Sequence, residues 1–139
     1  MGTVPDRSAL SSKEVFFKTI FAEARGEPHE GQVWVAWVIK NRAAAGKECW
    51  GHTIKDVCLK PYQFECWNGK NDIIIPLVER GVYDEIARWA DKIVQAPSSS
   101  DPTGGADHYN NPDKEGDPEW TSNCIWLRKI GSHQFYKSK

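Results

Sequence analysis

The sequence predicts a single α+β domain, predominantly helical, with a small β element near its C-terminal end. Three observations lead there. The 139-residue length fits one domain of ordinary size. Apolar residues recur at helical spacing at Phe16, Phe17, Ile20 and Ala24, and again at Ile86, Trp89, Ala90 and Ile93. Near the end, Ile125-Trp126-Leu127 and Gln134-Phe135-Tyr136 flank Gly131-Ser132, a dipeptide suited to a tight hairpin turn.

Taken in order, residues 1–10 form a short polar lead-in and residues 11–139 the folded body. Ser11 or Ser12 can cap a first helix that runs to about Ala24. Arg25-Gly26-Glu27-Pro28 breaks it: Gly26 can take the left-handed cap, and Pro28 can open the next helix. Val33 to Ile39 is apolar throughout, which periodicity alone would allow as a buried strand. The start signals before it and Asn41 to Gly46 after it favour a helix, and one apolar on all sides has to be buried. Cys49 to Asn71 is turn-rich, with a short helix around Thr53 to Leu59. Asp84 is the expected cap of a later helix, Pro97 lies just past its end, and Pro97 to Gly105 reads as a loop.

Composition narrows the function classes. With 40% hydrophobic and 27% charged residues the chain is expected to fold. A formal charge of -1 gives no net attraction to nucleic acid or acidic membranes, though it leaves a local basic face open, and nucleic acid is not an expected partner. No apolar run approaches the ~20 residues of a membrane-spanning helix, and Met1 to Asp6 lacks a secretory pattern. A monomer is expected. Cys49, Cys58, Cys66 and Cys124 allow two disulfides in three pairings, or four thiols, and show no paired C-x-x-C spacing for zinc. No metal or cofactor is therefore expected. Seven Trp suit either core packing or platforms on which sugar faces can lie.

Glu23 is the residue best placed for chemistry. A carboxyl set among Phe and Ala near a helix end loses hydration, which raises its pKa and suits it to protonate a glycosidic oxygen. An ordinary surface acid is the competing role. Glu27 and Glu30 are candidate second carboxylates, though both also suit the first turn of the second helix.

Ala22-Glu23-Ala24-Arg25-Gly26-Glu27-Pro28, then Glu30-Gly31-Gln32-Val33 and Val38-Ile39-Lys40-Asn41-Arg42, resemble the signature of the spore-cortex-lytic (SleB/CwlJ) cell-wall hydrolases. Thr53 to Val57, Gln63-Phe64, Asp101 to Ala106, Tyr109 to Pro112, Trp120 and Ile130 to Phe135 continue the resemblance in order. It spans roughly Phe16 to Tyr136. The resemblance implies a lysozyme-like, lytic-transglycosylase-like fold that cleaves the MurNAc-GlcNAc strands of peptidoglycan, with Glu23 as catalytic acid. It implies chemistry that needs neither a second carboxylate nor a metal. Glu27, Gln63, Phe64, Tyr109, Asn110 and Asn111 become candidate substrate contacts, while His133 is expected to be structural. The implied place of action is the bacterial cell wall, reached after leader removal or by release from the cytoplasm, as in phage lysis. Hydrolysis and transglycosylation both stay open, as do spore and vegetative peptidoglycan.

Overall fold

A computed structural model describes residues 6–139; residues 1–5 of the expected lead-in lie outside the described residues. The rest of the lead-in is tied down. Arg7 donates to the carbonyls of Trp67 and Lys70, and Leu10 packs against the core.

Helix α1 (Ser12–Ala24) begins where Ser11, in extended backbone, accepts the Glu14 N–H at 3.0 Å. Its Val15, Phe16, Ile20 and Ala24 are buried. The turn that follows differs from expectation, because Gly26 does not take a positive φ. Arg25 stays right-handed, Glu27 N–H reaches back to Ala24 O, and the Gln32 amide spans the carbonyls of Arg25 and Glu27. Backbone bonds and the Gln32 side chain thus do the work expected of a left-handed glycine.

Helix α2 (His29–Ala45) starts directly after Pro28 and ends at Gly46, whose φ of 65° is the left-handed cap. Every residue from Trp34 to Ile39 is buried, so α2 is the central helix, as its unbroken apolar run requires. Helix α3 (Ile54–Leu59) is capped by Thr53, whose hydroxyl accepts the Asp56 N–H at 3.1 Å. A 3-10 turn, Glu65–Trp67, places Trp67 in the core, where its indole N–H donates to Thr19 at 2.8 Å.

Helix α4 (Arg80–Gln95) starts a full turn before Asp84, the expected cap. Tyr83 is buried ahead of Ile86, Ala90 and Ile93, so the packed face already exists there and recruits the earlier turn. Asp84 is left exposed, 3.5 Å from Arg80. At the other end the Lys40 ammonium donates to the carbonyls of Ile93, Val94 and Ala96, fastening α2 to the C-terminus of α4.

The β element has three strands where the hairpin pattern showed two: β1 (His108–Asn110), β2 (Cys124–Ile130) and β3 (His133–Ser138), all antiparallel in the order β1-β3-β2. Three-residue β1 has no alternation of its own; pairing of Tyr109 with Phe135 makes it a strand. A short helix α5 (Pro112–Glu115) follows it. Irregular pairing between Trp126 and Arg128 bends β2. The hairpin turns at Gly131, φ 57°, where a Cβ would lie 2.7 Å from Pro28 Cδ and against the Glu27 carboxylate. Gly131→Ala is therefore expected to cost about 2 kcal/mol or more of stability in chemical denaturation, through both backbone strain and clash.

The four cysteines are free, and burial pushes the Cys58 thiol up to about 12. Among the described residues, no helix is long and apolar enough to cross a membrane, and no group of three or more His, Cys, Asp or Glu is placed to hold a metal.

Candidate active site

Glu23 sits in the last turn of α1 and lines a cleft of about 560 Å³. The opposite walls come from sequence-distant segments. Arg42 is contributed by the last turn of α2, Gln63, Phe64 and Glu65 by the loop after α3, Tyr109 by β1, and Lys114 and Glu115 by α5.

The Glu23 carboxyl is mostly removed from water, and that desolvation raises its pKa above the ordinary value. The Tyr109 hydroxyl donates to Oε1, and the Cys66 thiol is a further hydrogen-bond partner; both favour the ionised form and partly offset burial. The negative charges of Glu65 and Glu115 push the other way. The net result is a carboxyl held protonated to higher pH and oriented by a phenol. The phenol itself stays a donor, because burial first and the Glu23 charge second hold its pKa well above ordinary.

The parts that resemble the family signature mostly build this cleft from behind. Asn41 donates to the Asp101 carboxylate and the Ala106 carbonyl, each at 2.9 Å. Arg42 Nε donates to the Asp107 carbonyl at 2.7 Å, so one turn of α2 holds the approach to β1. Asp101 accepts the N–H groups of Thr103 and Gly105, and Thr103 accepts that of Ala106, closing a loop that delivers Tyr109 to Glu23. Beneath it, the Tyr109 ring packs on His133 at 4.8 Å and Phe135 at 5.8 Å. His133 is buried and packed as expected of a structural histidine, but its Nδ1 has no hydrogen-bond partner among the described residues, and burial lowers its pKa.

Of the candidate contacts, the structure brings Gln63, Phe64 and Tyr109 to Glu23. Gln63 gives its amide N–H groups to the carbonyls of Trp50 and Val57, and Phe64 is largely core, so each also shapes the loop. Glu27, Asn110 and Asn111 do not line the cleft. Glu27 instead accepts the Ser132 N–H at 2.8 Å and clamps the hairpin turn. Asn110 is buried and donates to the Gly116 carbonyl, while Asn111 caps α5. Both Asn side chains are engaged by turns, though Asn110 Oδ1 has no partner among the described residues, and adjacency to Tyr109 in sequence does not reveal this. Glu30 pairs with Arg128 at 2.9 Å.

None of the seven Trp lines this cleft; Trp34, Trp37, Trp50 and Trp67 are buried. Sequence reasoning assigned no site role to Arg42, Tyr62, Glu65, Lys114 or Glu115. Arg42 stood in a recognised motif, which was an available signal; the loop acids had none. Because Glu27 acts on the hairpin, Glu27→Gln should keep near-normal stability by retaining an acceptor. Glu27→Ala should lose about 1–2 kcal/mol in thermal or chemical denaturation, since the Ser132 N–H loses its partner.

The cell wall hydrolase family model matches residues 26–136, starting three residues after Glu23. The chain is 32% identical to a spore cortex-lytic enzyme of Bacillus cereus, over 96% of this chain and 47% of that protein. It is 33% identical to one from Halalkalibacterium halodurans, over 95% of this chain and 36% of that protein. It thus spans half or less of the length of these curated relatives. Among solved structures, the catalytic domain of the germination-specific lytic transglycosylase SleB from Bacillus anthracis superposes with a TM-score of 0.69 at 28% identity, over 96% of this chain and all of that one. The catalytic domain of the Bacillus cereus SleB protein gives 0.68 at 28% identity, over 91% and 89%. This chain, with its helical body and small three-stranded sheet, shares the lysozyme-like fold of these neighbours. By matched family model, by identity over nearly its whole length and by fold, this chain belongs to the cell wall hydrolase family.

Proposed function

We propose that residues 11–139 form one catalytic domain that, as a monomer at the bacterial cell wall, cleaves the MurNAc-GlcNAc strands of peptidoglycan as a lytic transglycosylase. The observation that carries this reading is Glu23: a desolvated carboxyl with a raised pKa, oriented by Tyr109, on the wall of a cleft. Glu23 donates its proton to the glycosidic oxygen as the C1–O bond breaks, releasing the GlcNAc end as an alcohol. The resulting carboxylate takes the proton of the muramoyl C6 hydroxyl, and O6 closes on C1. One carboxyl therefore serves both steps, regenerated as acid at the end, and the product is a 1,6-anhydro end. Tyr109 suits that cycle, because its donation supports the carboxylate when it forms.

A specific observation favours a second reading, hydrolysis. Glu65 and Glu115 share the cleft with Glu23, and either could activate a water in a two-carboxylate mechanism. Digestion of purified peptidoglycan followed by mass spectrometry separates the two. Anhydro-muramoyl ends are the expected product; reducing muramic ends would replace transglycosylation by hydrolysis, and binding without any released fragment would leave a wall-binding module.

A further inference from the structure

Tyr62 is the one non-glycine among the described residues with a left-handed backbone, φ 65°. That conformation disfavours a side chain, yet this ring is 88% exposed and belongs to no core cluster. The position is nonetheless pinned: Asn68 Oδ1 accepts the Tyr62 N–H at 3.2 Å. Burial therefore does not explain why an aromatic ring stands there.

Its location does. Tyr62 lines the Glu23 cleft on one side and a second hollow of about 250 Å³ on the other. That hollow has apolar surface from Leu59 and Pro61, with buried Trp67 beneath, and polar groups from Arg7 and Asn68. Arg7 is held there by its bonds to the carbonyls of Trp67 and Lys70 and lies over the Trp67 ring at 5.6 Å. Apolar surface bordered by fixed polar groups matches a hexosamine, which presents C–H groups on its faces and hydroxyl and amide groups at its edges. A strand leaving the acid cleft on this side has to cross Tyr62.

We propose that Tyr62 is a stacking platform for a sugar ring next to the scissile unit, carrying the glycan strand from the Glu23 cleft into the hollow beside Trp67. This rests on the glycan-cleaving reading above. The occupant is the glycan rather than the stem peptide, because the path is continuous with the cleft that would hold the glycosidic bond.

The test compares wild type, Tyr62→Gly and Tyr62→Phe on glycan strands of two and of four or more disaccharide units, each with and without stem peptides. Tyr62→Gly should raise KM for the longer strands about tenfold with little change in kcat, and erase the preference for long over short. Tyr62→Phe should keep both, since it retains the ring. Thermal melting of Tyr62→Gly should be unchanged or higher, because glycine accepts this φ. Unchanged KM and length preference in Tyr62→Gly would overturn the platform, as would a defect in Tyr62→Phe of equal size. A defect seen only on strands carrying stem peptides would also overturn it, assigning Tyr62 to the peptide. Failure of wild type to cleave any strand is a separate outcome and overturns the glycan-cleaving reading itself.

Discussion

Glu23→Gln should leave a folded protein whose release of fragments from peptidoglycan falls by roughly 10²–10⁴-fold, the usual range for a general acid. The amide cannot supply the proton, but it keeps the shape of the carboxyl and an oxygen for the Tyr109 hydroxyl. Stability should move in the opposite direction. A carboxyl whose folded pKa is raised contributes most below its unfolded pKa, and that contribution is lost as pH rises through the folded value. At neutral and alkaline pH the variant should therefore be at least as stable as wild type, with the difference vanishing in acid. Denaturation across pH checks the second effect and turbidity loss the first. Wild-type activity in the variant would remove Glu23 from the mechanism.

Tyr109→Phe should lower kcat by roughly 10–100-fold, the worth of a hydrogen bond to a charged group. KM should move less, because the lost bond supports the carboxylate that forms after proton transfer. The pH profile gives the sharper test. Tyr109 donation favours ionised Glu23, so its loss raises the acid's pKa further. Activity that requires the protonated acid is lost as pH rises through that pKa. The alkaline limb of kcat/KM should accordingly shift to higher pH in Tyr109→Phe. A shift to lower pH, or none, would mean that the phenol does not tune Glu23. Packing of the ring on His133 and Phe135 is kept by phenylalanine, so the fold should not confuse the result.

The helices were legible because their signals are local. Ser11 caps α1, Gly46 ends α2, and the apolar run of Trp34 to Ile39 can only be buried. The early start of α4 was not legible, since burial of Tyr83 depends on Phe21 across the interface. Strand β1 was missed for the same reason: its identity comes from β3, more than twenty residues later. At the site, the motif singled out Glu23 as a candidate, since its apolar neighbours alone leave an ordinary surface acid open. The roles of Glu27, Asn110 and Asn111 could not, because each side chain binds backbone brought in by the fold or by a turn. Glu65 and Glu115 look like any loop acids until α5 and the loop after α3 face the same cleft.

The hydrogen bond from Tyr109 to Glu23 joins residues 86 positions apart. Closing so long a loop has an entropic cost that contacts within α1 do not carry. The tuned acid is thus a property of the docked sheet rather than of the helix that bears it. A local opening that lifts β1 from α1 would remove the donor and readmit water to the carboxyl, leaving Glu23 an ordinary glutamate while the helices stay intact. Activity on heating should therefore fade before helical circular dichroism does, and the gap between the two would measure how independently the sheet lets go.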